Sequence, residues 1–266
     1  MEATKGYTLI TGGTMGIGLE LAKLFAADGH PLIIIARSAE ELEEARQLLS
    51  GHQTDIRTIQ KDLFDPQAAF ELYDEIKQQD IIVDILVNNA GQGEYGLFED
   101  TDIQRELAIV QLNICSMLVL TKLFVKDMID RGNGKILNLS SIASKTPGPW
   151  QSVYHGTKAF VQSFSEALRA EVKDHNITVT ALLPGATDTD FFRKANMESS
   201  KVVQDKEKLA DPADVAADGY KALMEGDDKV ISGFKNKVQV AMSNMTTDKA
   251  AAEKMKKMQE PADKKK

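Results

Sequence analysis

Along the first two hundred residues, short and heavily apolar runs alternate with longer stretches of helical period. The runs are YTLIT (7–11), PLIIIA (31–36), DIRTIQ (55–60), DILVN (84–88), GKILNLS (134–140) and ITVTALL (177–183). They are rich in β-branched residues and lack a polar alternation, which suits strands covered on both faces. Helical patterns fill the gaps at 16–27, 39–49, 67–79, 112–131 and 151–175, and Asp65-Pro66 and Asp211-Pro212 read as helix starts with proline at the first helical position. Strands joined by crossover helices predict an α/β fold, a doubly wound parallel sheet with helices on both faces.

The remainder of the chain has a different texture. Residues 187–209 show no clean period and carry Phe191, Phe192 and Met197 among charges, as expected of a mobile segment over a site. KVIS (229–232) reads as a last strand, and Val238, Met242, Met245 and Met255 recur at helical spacing. One domain is expected over 1–234, followed at 235–266 by an amphipathic helical tail whose end, EPADKKK, is expected to be disordered.

Composition narrows the function classes. Hydrophobic residues make up 42% of the 266 and charged residues 27%, ordinary values for a globular protein. A net charge of −8 argues against non-specific nucleic-acid binding, since no basic surplus neutralises phosphates. Residues 1–12 hold no secretory pattern, and the apolar stretch Leu112 to Val125 is interrupted by Asn113, Ser116, Thr121 and Lys122, so neither export nor a membrane span is expected. A single cysteine, Cys115, excludes an internal disulfide, and four scattered histidines suggest no metal site. The cytoplasm is the expected compartment.

Candidate chemistry begins directly after the first run. TGGTMGIG, Thr11 to Gly18, lies between a strand and a helix, with Gly12, Gly16 and Gly18 spaced wider than the common GxGxxG. Such a turn brings backbone N–H groups and the positive end of a helix dipole close to a pyrophosphate, with Thr14, Met15 and Ile17 between the glycines also placed to line it. At the end of the second run, where a carboxylate would bind the ribose of NAD, the chain has Ala36 followed by Arg37 and Ser38. A guanidinium beside a hydroxyl suits a 2′-phosphate, which favours NADP(H) over NAD(H). Further on, Tyr154 and Lys158 stand four residues apart in a helical stretch, neighbours on one face. By themselves they read equally as an accidental pair on an exposed helix.

Taken together, these residues resemble the short-chain dehydrogenase/reductase family over about residues 6–225. The loop at Thr11 to Gly18, NNAG at Asn88 to Gly91, NLSS ending at Ser141, YHGTK at Tyr154 to Lys158 and PGATDT at Pro184 to Thr189 occur in the family's order. The resemblance implies a Rossmann-like fold and a hydride exchange between NADP(H) and a carbonyl or secondary alcohol. Tyr154 would be the general acid or base, Ser141 would orient the substrate oxygen, and Lys158 would tune the tyrosine and bind the nicotinamide ribose. Asn113 would complete a proton relay through its backbone. For a phenol to act as a base, its pKa must come from about 10 down to near neutrality, about 4 kcal/mol, for which a neighbouring ammonium is suited.

Asp62 and Leu63 would contact the adenine; Asn89, Ala90, Gly91, Pro184, Gly185 and Thr189 would line the rest of the cofactor. Cys115, lacking a histidine partner, reads as packing. Gln92, Tyr95, Pro149, Trp150, Phe191 and Phe192 are candidate substrate contacts. Two departures from the family stand out: His155 and Gly156 inside YHGTK, and the methionine-rich tail where many members end in a glycine-rich segment that joins subunits. The tail favours a homodimer, built from the long helices of Asn113 and Tyr154, over a tetramer. Two alternatives remain at this stage, a non-catalytic NADP-binding regulator on the same scaffold and a 3-ketoacyl-thioester reductase.

Overall fold

The computed structural model describes residues 5–204, 206–243 and 246–262; Met245 of the tail pattern lies outside them. Seven strands form one parallel sheet: β1 (Tyr7–Thr11), β2 (Leu32–Ala36), β3 (Ile56–Gln60), β4 (Val83–Asn88), β5 (Gly134–Leu139), β6 (Ile177–Leu183) and β7 (Lys229–Ile231). Their order across the sheet is β3-β2-β1-β4-β5-β6-β7. Successive residues of a strand point into two different cores, which is why polar alternation is absent. Leu9, Ile33, Ile35, Leu86 and Ile136 pack into one core with helices α3 (Ala68–Gln78), α5 (Met117–Arg131) and α6 (Ser152–Val172). Ile10, Ile34, Val87 and Leu137 pack into the other with α1 (Gly16–Ala27), α2 (Ala39–Leu49) and α8 (Pro212–Glu225). Strand order reverses between β1 and β4, and the crevice beyond their carboxyl ends is the ligand-binding position of such sheets.

Two boundaries differ from the sequence expectation. Asp65 accepts a hydrogen bond from Gln67 N, but α3 begins only at Ala68, so Asp65-Pro66 forms the turn before the helix. Asp211 does cap α8, accepting from Ala213 N with Pro212 in the first turn. The central helix starts well before residue 112, at α4 (Ile103–Val110), capped by Asp102. Its start was hidden because Gln104, Arg105 and Glu106 break the apolar run, although Glu106 is buried. A π-helical turn, Gln111–Ser116, joins α4 to α5. The whole run, Ile103–Arg131, is apolar and long enough by composition to cross a membrane, and half of its most apolar window is buried within the protein. Cys115 faces outward on this turn and does not pack.

The segment over 187–209 has regular structure of its own, including α7 (Phe191–Lys194), and anchors itself through buried Ala195 and Met197. The tail divides into α9 (Phe234–Ser243) and α10 (Asp248–Gln259). Glu260 to Ala262, expected to be disordered, are held: Pro261 bridges Ser200 and Ala262 N donates to Ser199 O at 2.8 Å. Residues 263–266 of that stretch lie outside the described residues.

Candidate active site

The glycine loop is braced before any ligand arrives. Asn89 Nδ2 donates to the carbonyls of Thr11 (2.9 Å) and Gly12 (2.8 Å). Thr11 Oγ1 accepts from the backbone N–H groups of Asn89 and Ala90, both at 3.0 Å, and donates to Val87 O at 3.3 Å. The ends of β1 and β4 are therefore one unit. A Cβ on Gly18 would lie 2.2 Å from Gly12 O and 2.4 Å from Asn89 Nδ2, so only glycine lets the helix approach the loop this closely. Gly16 has φ 53°, a left-handed conformation, and sits against the Thr189 methyl. Met15, at the N-cap of α1, gives no side-chain acceptor to the helix's first N–H groups. An uncapped helix start behind a concave loop fits a pyrophosphate.

At the end of β2 the arrangement is more mixed. Arg37 is exposed, lies with its guanidinium carbon 5.0 Å over the Phe64 ring, and forms no ion pair among the described residues. Ser38 caps α2, accepting from Glu41 N and donating to Glu40 Oε2, each at 3.1 Å. The Thr14 hydroxyl is turned to Glu41 at 3.1 Å. Asp62 makes the tight turn after β3, accepting from Phe64 N at 3.1 Å, so its part as a turn residue is realised. Buried Leu63 anchors the same turn, its carbonyl accepting from Ser116 Oγ at 2.7 Å. Arg37, Ser38, Asp62 and Leu63 all line the crevice.

Tyr154 and Lys158 do stand on one face of α6, the ammonium 5.8 Å from the centre of the phenol ring. Lys158 is buried and donates to Leu139 O at 2.8 Å, which aims it at the end of β5. Ser141 begins the 3₁₀ turn Ile142–Lys145, accepting from Ala143 N at 3.1 Å and donating to Pro184 O at 3.3 Å. Its neighbour Ser140 is structural, tying the Lys158 carbonyl at 2.9 Å. Asn113 lies in the π turn, a feature that recurs at functional sites. Its side chain clamps the Gln92 backbone in both directions, Oδ1 accepting from Gln92 N at 3.0 Å and Nδ2 donating to Gln92 O at 2.9 Å, and Nδ2 also reaches Thr157 Oγ1 at 3.0 Å. A Cβ on Gly91 would fall 3.2 Å from Lys158 Nζ and 3.3 Å from Asn113 Oδ1, so the NNAG loop passes directly between them.

Burial dominates the electrostatics. It pushes the Tyr154 phenol up to about 12, while hydrogen bonding with Ser141 works the other way. Burial also brings the Lys158 ammonium down to about 8. Among the protein's own groups, desolvation outweighs the ammonium, which points at a carbonyl; the charge of an oxidised nicotinamide is the further contribution that would favour a phenolate. At neutral pH Tyr154 is an O–H donor.

These residues share one cleft of about 1620 Å³, running from the glycine loop past Tyr154 to α10. Pro184, Gly185 and Thr189 line it, and Asn236 of α9 packs on Gly185. Of the expected substrate contacts, Gln92, Phe191 and Phe192 line the cleft; the Phe191 ring lies 5.1 Å from that of Tyr154. Tyr95 and Trp150 do not. They stack on each other at 5.5 Å, with the Tyr95 hydroxyl bound to Gln259 O, and Pro149 is likewise absent from the lining. The aromatic pair serves packing because each ring finds an apolar partner away from the crevice.

Sequence reasoning missed several participants. Asn88 and Asn138 form a buried polar crossing, Asn88 Nδ2 donating to Asn138 Oδ1 (2.8 Å) and Thr121 Oγ1 (2.9 Å), and Asn138 Nδ2 to Ser165 Oγ (2.9 Å). Amides inside apolar strands signal such a need, so these two were findable. His155 and the tail residues Met255, Met258 and Gln259 also line the cleft. His155 and Met255 stand out locally, but no local pattern brings the tail to the cleft, because the His155–Gln259 contact spans about a hundred residues of chain.

Residues 7–200 match the protein family described as short chain dehydrogenase. Among curated relatives, dehydrogenase/reductase SDR family member 7B of Bos taurus is 34% identical over 242 residues, 89% of this chain and 73% of that protein. The corresponding match to the Mus musculus protein takes in 58% of its length, so the chain spans less than two thirds of some of these relatives. A probable NADP-dependent dehydrogenase of Haemophilus influenzae is 33% identical over 215 residues, 78% of this chain and 83% of that protein. Among solved structures, L-sorbose reductase from Gluconobacter frateurii, complexed with NADPH and L-sorbose, superposes with a TM-score of 0.75 at 25% identity, covering 87% of this chain and 98% of that one.

Proposed function

The chain belongs to the short-chain dehydrogenase/reductase family, and on that premise we propose that it is an NADP(H)-dependent oxidoreductase that reduces a carbonyl compound to a secondary alcohol. The observation that carries this reading is the convergence of Ser141, Tyr154 and Lys158 on one wall of the cleft that begins at the braced glycine loop. NADPH, when bound, supplies the hydride that reaches the carbonyl carbon. Ser141 holds the carbonyl oxygen beside the phenol, so that proton and hydride arrive from fixed directions. Tyr154 gives its proton to that oxygen: its O–H bond breaks as the alcohol O–H forms, and the phenolate left behind faces the Lys158 ammonium. A phenol at about 12 holds its proton at neutral pH, which favours the reductive direction. Protons return to the phenol from solvent by way of Lys158 and the Asn113 turn.

Preference for NADP(H) rests on Ala36 in place of a carboxylate and on the exposed Arg37 beside it, which has no ion pair among the described residues; the relative named as NADP-dependent supports it. Arg37→Asp is expected to reverse the ratio of kcat/KM values for NADPH and NADH. Unchanged discrimination in paired steady-state assays counts against the role of Arg37. The outward Ile103 and Leu107 of α4 and Phe160 of α6 support a homodimer through these helices.

The test of the reading is a panel of ketones and aldehydes assayed with NADPH across the alkaline range. The Lys158 ammonium loses its proton as pH rises through about 8, and the phenolate then loses its counter-charge. Reduction is therefore expected to be level below that pH and to fall above it, well before Tyr154 itself titrates. Absence of turnover across the panel, with NADPH demonstrably bound, overturns the reading.

A further inference from the structure

The far end of the cleft is built in part by chain that lies beyond the family match, from Val202 onward. Past Tyr154, the cavity is walled by Phe191 and Phe192 of α7, then Met197, Val202, Met255 and Met258. None of these six carries a charge. Gln92, a polar group at this end, has its amide oxygen occupied by Arg105 Nη2 at 2.5 Å and its backbone held by Asn113. The catalytic hydroxyls stand at the Ser141–Tyr154 end, and the other end offers thioether and aromatic surface beside charged lining residues, of which Lys194 and Lys201 are held in ion pairs with Asp190 and Glu260. Methionines adapt to flexible apolar bodies better than branched side chains do. A cavity of about 1620 Å³ also exceeds the roughly 300–1,000 Å³ that one ligand fills, leaving room for a second body beside a dinucleotide.

This wall is fixed rather than loosely laid on. Gln259, the last residue of α10, is 5% exposed and joins three separate parts of the chain. Its carbonyl accepts from the Tyr95 hydroxyl and, at 3.0 Å, from Ser200 Oγ. Its side-chain amide lies 3.0 Å from His155 Nε2. His155 Nδ1 stands 2.8 Å from Thr146 O, a bond that requires Nδ1 to donate, so Nε2 is the acceptor of the Gln259 amide. His155 directly follows Tyr154. Beyond Gln259, Glu260 pairs with Lys201 at 2.5 Å and Ala262 N donates to Ser199 O, which staples the tail to the segment carrying Met197 and Val202.

We propose that α10, locked by Gln259 against the start of the catalytic helix, closes the substrate end of the cleft and selects carbonyl compounds that carry an extended apolar portion. The proposal rests on the oxidoreductase reading of the same site and adds the substrate class and the residues that set it. Gln259 is a positioning residue; Met255 and Met258 set specificity by contact.

Methyl ketones of increasing chain length, assayed with NADPH, test it, in parallel with n-alkyl amides of the same lengths, which are not reduced and are titrated against the NADPH-loaded protein by nicotinamide fluorescence. The native protein is expected to gain in kcat/KM, and in amide affinity, by up to about fourfold per added methylene until the wall is reached. Met258→Trp should move that limit to shorter chains, and Gln259→Ala should flatten the length dependence mainly through KM. Should Gln259→Ala fail to fold, Met258→Trp carries the test alone. Turnover of short ketones with no length dependence in either assay overturns the proposal and leaves the reductase intact. Length-dependent amide binding without turnover of any ketone supports the apolar compartment and overturns the oxidoreductase reading instead.

Discussion

Tyr154→Phe is expected to lower kcat for carbonyl reduction by about 10²- to 10⁴-fold, the usual worth of a positioned general acid, while the Kd for NADPH stays within about twofold. The substitution deletes one oxygen and leaves the ring, so packing against Phe191 at 5.1 Å and the 5.8 Å approach of Lys158 are retained. What disappears is the hydroxyl that stands one helical turn from that buried ammonium. Steady-state kinetics with a reducible ketone and a fluorescence titration of NADPH separate the two quantities. Native-like turnover in the variant assigns the proton to another donor and removes the proposed mechanism; a parallel collapse of NADPH affinity assigns the tyrosine to binding.

The second large effect concerns the loop. Gly18→Ala places a Cβ 2.2 Å from Gly12 O and 2.4 Å from Asn89 Nδ2, and both neighbours belong to the brace between β1 and β4. Neither can retreat cheaply: the carbonyl is backbone, and the amide is committed to two carbonyls. Overpacking of this kind costs about 1–3 kcal/mol. If the strain appears in the liganded loop, NADPH affinity falls by about 5- to 150-fold; if it appears in the fold, the melting temperature drops. Tight NADPH binding together with an unchanged melting temperature contradicts the close approach. Gly51, with no atom within 4 Å of its would-be Cβ and no left-handed backbone, is the control for alanine at a glycine outside the loop.

Much of this architecture could be read from the chain because β1, β2, β4, β5 and β6 are buried on both faces. A run such as Ile33-Ile34-Ile35, feeding alternate residues into two cores, cannot belong to a half-exposed sheet. The glycine loop was legible for a related reason, since close backbone approach excludes any side chain. Chemistry carried by spacing within one helix, such as Tyr154 and Lys158, was equally visible. Long-range placement was not. Tyr95 and Trp150 have the composition of pocket residues, and only tertiary packing turns them toward each other. Gln259 has no distinguishing local feature, yet it touches the residue beside the tyrosine. A charge four residues from Tyr154 is obvious in sequence, whereas the depth of burial that raises its phenol is not.

The buried Lys158 also bears on how the molecule holds together. Its ammonium is deprotonated more readily in the fold, at about 8, than the ordinary value of 10.5 for a lysine released by unfolding. Below about pH 8 both forms carry the proton and the fold bears the full burden of a desolvated cation. Between about 8 and 10.5 the unfolded chain binds more protons than the native one, so native stability from this group rises with pH. Through this one side chain, alkaline solution therefore favours the fold by the same deprotonation that weakens its chemistry, and a neutral side chain of the same length there is expected to be sturdier for being less capable.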